Sequence, residues 1–290
     1  LEAPLWEALE TELRGYGEIV PQAGLLGTEA GHCLLWFEGG VPVGATHTGT
    51  GRTGSAARNR TVEDLKAFRD AGIDRVHFGM ESGSPRVLKM VNKGATPEDH
   101  VQGALKASRA GLSCSFYIMP GLGGMEMWEE HAVETAKVIN EAQPDYVRIR
   151  TLEIFNGTPL DEMRQKGEFT EADDDTVAYE IRRLVKDITA DTELLSDSAT
   201  NLLQINGKLP HDRDRMLAHI DDYLALDSRE RIEYSFRSRL SAFAGQYGGL
   251  SREIKDAIAP ILKGGKLDCS NASDQELKEM TAFVKSRLMP

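Results

Sequence analysis

From residue 61 onward the apolar positions of this chain follow two alternating rhythms, the three-and-four spacing of a helix and the every-second-residue spacing of a strand. Thr61 followed by Val-Glu-Asp, with Leu65 and Phe68 apolar, predicts a capped helix. Gly72 ends it, because glycine enters the left-handed conformation past a helix C-terminus. Arg75-Val-His-Phe-Gly-Met80 reads as a strand. Thr96-Pro-Glu-Asp99 supplies a capping hydroxyl, a proline at the first helical position and acids in the first turn. Val101, Ala104, Leu105 and Ser108 continue one helical face to Gly111. Ser113 to Met119 reads as the next strand, 126–141 as a helix and Tyr146 to Leu152 as a strand. Val177, Ile181, Leu184, Val185 and Ile188 form the stripe of a helix on a core, and Leu194-Leu195-Ser196 adds a short strand.

Strands separated by helices run parallel, because each crossover returns the chain to the same end of the sheet. The middle of the chain is therefore predicted to be α/β, as a β/α barrel or an open sheet. The ends depart from this alternation. Residues 4–15 predict a helix, and His32 to Val43, with a Cys-Leu-Leu-Trp-Phe run and a Glu-Gly-Gly turn, predicts a hairpin. Residues 44–58 are rich in Gly, Thr, Ser and Arg, as a loop or a strand with a phosphate-like site, and match neither a Walker nor a dinucleotide fingerprint. Beyond 208 the chain reads as helical throughout, with Met216, Leu217, Ile220, Tyr223 and Leu224 on one face and Leu277, Met280 and Val284 on another. The expected organisation is an N-terminal segment over 1–45, a partial β/α barrel over 46–207 and a helical extension over 208–290.

Strand parity separates two surfaces. Val76, Phe78, Cys114, Phe116, Ile118, Val147 and Ile149 are apolar and are expected beneath the helices. The other parity gives His77, Gly79, Glu81, Ser113, Ser115, Tyr117, Met119, Tyr146, Arg148, Arg150 and Leu152, polar in three separate strands. Closed barrels fill with bulky aliphatics, and parallel strands buried on both faces are continuously apolar. Arginine, histidine and glutamate resist desolvation without partners, so this second surface is expected to line a wet or ligand-filled cavity. A structural network of Glu81 with Arg148 or Arg150 is the alternative.

Ligands in parallel α/β folds bind beyond the carboxyl ends of the strands. Here those ends carry Met80-Glu-Ser-Gly-Ser84, Met119-Pro-Gly-Leu-Gly-Gly124 and the loop 151–159. Glycines let the main chain approach a ligand, where free amides or carbonyls read an adenine edge. Glu81 suits a ribose hydroxyl or a ligand amine, with helix capping as its other role, and Lys93 suits a carboxylate. These residues by themselves point to a small polar ligand carrying a carboxylate or a ribose.

Composition narrows the partners. The 290 residues carry 46 acidic and 34 basic side chains, a net charge of -12 and no Lys/Arg block, so nucleic acid is not expected as a partner. With 40% hydrophobic residues, the chain is expected to bury a core rather than to be fibrous or disordered. No apolar run reaches the roughly 18 residues of a membrane span, and Leu-Glu-Ala-Pro-Leu-Trp-Glu lacks the basic start of a secretory signal, so a cytoplasmic location is expected. Cys33, Cys114 and Cys269 show no metal spacing and fit a reducing compartment. A chain that starts with leucine is expected to be trimmed, processed or part of a longer polypeptide.

The stretch Asp74-Arg-Val-His-Phe-Gly-Met-Glu-Ser-Gly-Ser-Pro-Arg-Val-Leu-Lys-Met-Val-Asn-Lys-Gly-Ala-Thr96 is followed by Tyr117-Ile-Met-Pro-Gly-Leu-Gly-Gly124, Arg148-Ile-Arg-Thr151 and Gly157-Thr-Pro-Leu160. In this order the motifs resemble the radical S-adenosylmethionine (SAM) superfamily, in the branch with coproporphyrinogen dehydrogenase-like and methylthiotransferase-like enzymes. The resemblance implies a partial (β/α)6 TIM-like barrel whose lumen holds SAM, with a helical C-terminal extension. By position it implies that Glu81 and Ser82 contact the ribose or methionine portion and that Lys93 meets the methionine carboxylate. It sets Tyr117, Met119, Pro120 and Gly121 against adenine, adds Ser115 to the cofactor-binding residues and turns Arg150 into the lumen near SAM or substrate. In this family a [4Fe-4S] cluster passes one electron to the sulfonium, and a 5′-deoxyadenosyl radical abstracts hydrogen from substrate. A small-molecule or macromolecular substrate and an electron donor are the partners this implies.

The sequence also departs from the family. Its Cys-x3-Cys-x2-Cys cluster loop, whose three thiolates bind three irons and leave the fourth for SAM, is not in this chain. The Gly-Gly-Glu that follows the second strand is missing too, since Glu38-Gly39-Gly40 reverses it. Three readings stay open. One is a radical SAM enzyme whose cluster loop lies outside this sequence. Another is a degenerate member kept as a SAM- or nucleotide-binding module or a scaffold. The third is an unrelated TIM-barrel lyase or aldolase, which would need a Schiff-base lysine or metal ligands at strand ends. The residues assign no catalytic group and no metal ligand.

Overall fold

The structure, a computed structural model, describes residues 34–38, 41–46, 60–70 and 72–288. They form two compact units, one holding the described residues up to 196 together with 205–220, the other 197–204 together with 221–288.

The first unit is built on a seven-stranded sheet. Strands β1 (Leu34–Glu38) and β2 (Val41–Thr46) form an antiparallel hairpin at one edge. Helix α1 (Val62–Asp70) leads to β3 (Arg75–Glu81), and helices α2 (Pro85–Met90) and α3 (Pro97–Arg109) lead to β4 (Ser113–Ile118). Helix α4 (Gly124–Ala142), β5 (Tyr146–Ile149), α5 (Pro159–Gln165), α6 (Asp174–Asp187) and β6 (Thr192–Leu195) follow. Strand β7 (Gly207–Leu209) lies antiparallel at the far edge, before helix α7 (Arg213–Ala225). The order is β2-β1-β3-β4-β5-β6-β7, with β1, β3, β4, β5 and β6 parallel. The expected α/β class with a parallel sheet is present.

The hairpin expected over 32–43 joins this sheet, because β1 pairs in parallel with β3. The helix expected over 4–15 and most of the loop expected over 44–58 lie outside the described residues. Local chemistry sets the helix starts, at Thr96 as the sequence suggests. Thr96 and Asp99 exchange the reciprocal bonds of a capping box, and Ser84 and Thr158 cap helices that open on proline.

The apolar parity packs under helices. Val76, Phe78, Cys114, Phe116, Ile118, Val147 and Ile149 are all buried. The Gly103 backbone of α3 lies against Phe78, where a Cβ would come within 2.9 Å of the ring, and the His100 ring of α3 meets Phe116 edge-on at 6.5 Å. Each large side chain buried in this way contributes about 1.5–3 kcal/mol.

In the second unit, α8 (Ser228–Tyr247) packs on α10 (Asp274–Lys285), with α9 (Arg252–Ile258) between them in sequence. Phe236, Leu240, Phe243, Ile254, Ile258, Leu277 and Val284 belong to its core. The expectation of helix throughout beyond 208 is corrected at two places. Strand β7 pairs with β6, and a short hairpin joins β8 (Leu262–Lys263) to β9 (Lys266–Leu267). Gly264 and Gly265, at φ 58 and 81, make the tight reversal that no helix accommodates.

Candidate functional site

The second parity forms a polar surface on the sheet. Register puts His77, Ser115 and Tyr146 in one row across β3, β4 and β5, and Gly79, Tyr117 and Arg148 in the next. The His77 and Tyr117 rings are 5.7 Å apart, the Arg150 guanidinium sits 5.3 Å from the Tyr117 ring centre, and Arg75 lies 3.8 Å over Tyr146. Burial, reinforced by Arg148 and Arg75, pushes the His77 pKa down to about 4, so its ring is neutral near pH 7. Ser115 is fully buried, and its hydroxyl finds no hydrogen-bond partner. An unmet buried polar group costs about 1–3 kcal/mol, so this hydroxyl suits a ligand atom or a water at the middle of the surface.

At the carboxyl end of β3 the chain takes an unusual turn. Glu81 is in the left-handed region at φ 61, a conformation that costs a non-glycine residue roughly 1–3 kcal/mol and persists only when its surroundings hold it. Its carboxylate meets Lys93 Nζ at 3.3 Å, with the two side chains 20% and 10% exposed. The sequence singled out both residues, and the structure brings them together. Ser82 turns inward instead. It is fully buried, and its hydroxyl accepts from the Ser84 amide at 2.9 Å.

The turn after β4 lies alongside. The Met119 amide donates to the Glu81 carbonyl at 2.9 Å, and Leu152 returns a bond to the Pro120 carbonyl at 2.9 Å. Met119 packs with Leu122, Leu152 and Phe169, a cluster that also contains Val87. Gly121, at φ 90, aims its amide inward to the Glu180 carboxylate at 2.9 Å. That donor is therefore committed to the protein.

Sequence reasoning missed the residues behind these turns. His131 of α4 and Glu180 of α6 are fully buried and 2.5 Å apart, and the other His131 nitrogen lies 3.2 Å from the Glu81 carbonyl oxygen. A signal was there to read. Glu180 falls one residue before Ile181, within the buried stripe of α6, where an unpaired carboxylate is not tolerated.

Among the described residues, no group of three or more His, Cys, Asp or Glu is placed to hold a metal ion. Cys114 lies in the apolar core, where burial raises its thiol pKa far above the usual range, and burial raises that of Cys269 in the second unit as well. Buried, protonated thiols are poor iron ligands. Cys33 lies outside the described residues. No helix among the described residues is long and apolar enough to cross a membrane.

Comparisons with known proteins find partial likenesses. A sequence family described as a domain of unknown function (DUF8572) matches residues 1–78. The tRNA uridine(34) acetyltransferase of Methanocaldococcus infernus is 30% identical over 108 residues, 37% of this chain and 20% of that protein. The heme chaperone HemW of Mycobacterium tuberculosis is 28% identical over 118 residues, 40% of this chain and 30% of that protein. Both relatives are members of the radical SAM superfamily. The chain thus spans less than a third of the length of either. Among solved structures, the archaeal Elp3 of Methanocaldococcus infernus with an N-terminal deletion is 25% identical, covering 58% of this chain and 40% of that one at a TM-score of 0.41.

Proposed function

We propose that this chain binds S-adenosylmethionine, or a close adenosyl relative, beyond the carboxyl ends of β3, β4 and β5 in a partial β/α barrel. Strand order supports the barrel. The parallel strands follow one another without reversal, so right-handed crossovers put their helices on one side and leave the polar surface on the other. The observation that carries the reading is that surface, with the Glu81–Lys93 pair at its upper end and the unsatisfied Ser115 hydroxyl at its centre. Glu81 would hold the ribose, Lys93 the methionine carboxylate, and Tyr117 with the Met119–Gly121 turn the adenine, while Arg150 faces ligand or substrate. Reduced by one electron, SAM supplies hydrogen-abstracting radical chemistry in this superfamily.

The described residues do not fit an iron-sulfur cluster, and no redox step is assigned to them. Radical chemistry on a still unidentified substrate, with an electron donor as partner, requires cluster ligands outside the present sequence. Without them the same site is an adenosyl-binding module. Calorimetric titration with SAM and S-adenosylhomocysteine tests the binding. We expect one site per chain, weakened by about 1–3 kcal/mol in Glu81→Ala through loss of charged hydrogen bonds. Absence of heat with both compounds would refute it. Iron and sulfide content of the native, anaerobically prepared protein separates the enzyme from the module.

A further inference from the structure

The turn that presents Glu81 is held from behind by one helix. Residues 130, 131 and 135 of α4 each touch it. The Ser84 hydroxyl donates to Glu130 at 2.7 Å, the Gly83 amide donates to Thr135 Oγ1 at 2.9 Å, and His131 Nε2 lies 3.2 Å from the Glu81 carbonyl. The contact is close enough that a Cβ on Gly83 would meet the Glu134 carbonyl oxygen at 2.3 Å. Through His131 the same helix engages Glu180 of α6, and Glu180 holds the Gly121 amide of the neighbouring turn. One buried pair therefore ties together the two strand ends that flank the ligand site.

We infer that His131 and Glu180 are positioning residues for this site, a buried linked pair that fixes the left-handed Glu81 and the Gly121 turn in their ligand-ready arrangement. This rests on the adenosyl-binding reading for what the arrangement receives. Proton bookkeeping gives the pair a signature. The Glu81 carbonyl only accepts, so Nε2 carries a hydrogen. Nδ1 facing a carboxylate then needs one further proton shared between ring and acid. Burial opposes a charged ring, yet Glu180, aided by the Glu81 carbonyl and by Glu130, raises the His131 pKa above its ordinary value. The groups facing His131 are Glu180 from α6, Glu130 on α4 with Arg86 of α2 upon it, and the carbonyl of Glu81 at the end of β3, whose carboxylate pairs with Lys93. As pH rises and the shared proton leaves, one of the two bonds is lost and the turns loosen.

The test uses the full chain, its Glu180→Gln and His131→Gln variants, S-adenosylhomocysteine as probe, and hydrogen exchange of segments 79–86 and 117–124 with α8 as reference. Both variants are expected to bind roughly tenfold more weakly, with faster exchange in the two segments and none added in α8. Parent affinity should fall on the alkaline side, and in Glu180→Gln that fall should move to lower pH. Parent-like affinity and exchange in both variants would overturn the inference. So would an unmoved pH profile in Glu180→Gln. If a variant fails to fold, the parent decides. Exchange, corrected for its intrinsic base catalysis, should rise selectively in the two segments at alkaline pH, and a profile matching α8 overturns the idea. If the parent binds no adenosyl compound, the ligand reading fails by itself. Positioning then stands on loosening confined to the two segments and falls without it.

Discussion

Three buried histidines, all on helices or strands of the sheet unit, carry opposite pH dependences. The pKa values of His77 and His100 are lowered to about 4, chiefly by burial, with Arg148 and Arg75 adding to the effect at His77 and Lys93 at His100. The unfolded chain takes up protons at these positions below about pH 6.5, and the folded chain refuses them until about pH 4. Stability is therefore lost on acidification, by up to about 1.4 kcal/mol per pH unit for each group. His131 works the other way. Its raised pKa gives stability that is complete below about 6.5 and is lost as pH climbs through the folded value. Urea titrations across this range should show a maximum near neutrality. His131→Gln should flatten the alkaline limb and His100→Phe the acid one. Neither ring nitrogen of His100 has a hydrogen-bond partner, and the ring packs on Phe116, so phenylalanine there should leave stability at neutral pH unchanged or higher. A loss above about 2 kcal/mol in His100→Phe would contradict this account of the residue.

Among the described glycines, Gly83 in the turn after β3 leaves the least room for a Cβ. Gly83→Ala drives a methyl into the α4 backbone, which has no flexible end to swing aside, and should lower stability by about 1–3 kcal/mol. Gly157 is at φ 78 with nothing near its would-be Cβ, so Gly157→Ala carries only the conformational cost, about 1–2 kcal/mol, and should leave ligand binding intact. Equal binding in both alanine variants would show that α4 does not shape the site. Helices and strands here were legible wherever a cap and a period agreed, as at Thr96 to Gly111, and the apolar parity of β3, β4 and β5 named the core face correctly. Some short elements were not, although the four-residue β5 and β6 were. Helices α2 and α5 have six and seven residues, too few to show a period, and β6 pairs with a β7 of three residues that no alternation announces. The Glu81–Lys93 contact was within reach because both lie in one motif. The His131–Glu180 pair was not, since it joins positions 49 residues apart through packing of α4 on α6.

At the scale of the whole molecule, an acidic chain of net charge -12 concentrates arginine, histidine and tyrosine on one surface of its sheet. Parallel strands buried on both faces are usually apolar on both, and this surface is not. The apolar surface of the same strands packs under the helices, and the polar surface is the one that the proposed ligand would meet. The most direct measurement of the central claim is an NMR titration of the chain, labelled at its methionine methyls, with S-adenosylhomocysteine. The Met119 resonance, at the end of β4, should shift saturably while that of Met280, on α10 of the second unit, stays fixed. A titration in which no methyl moves, or in which Met280 moves and Met119 does not, would contradict an adenosyl site at these strand ends.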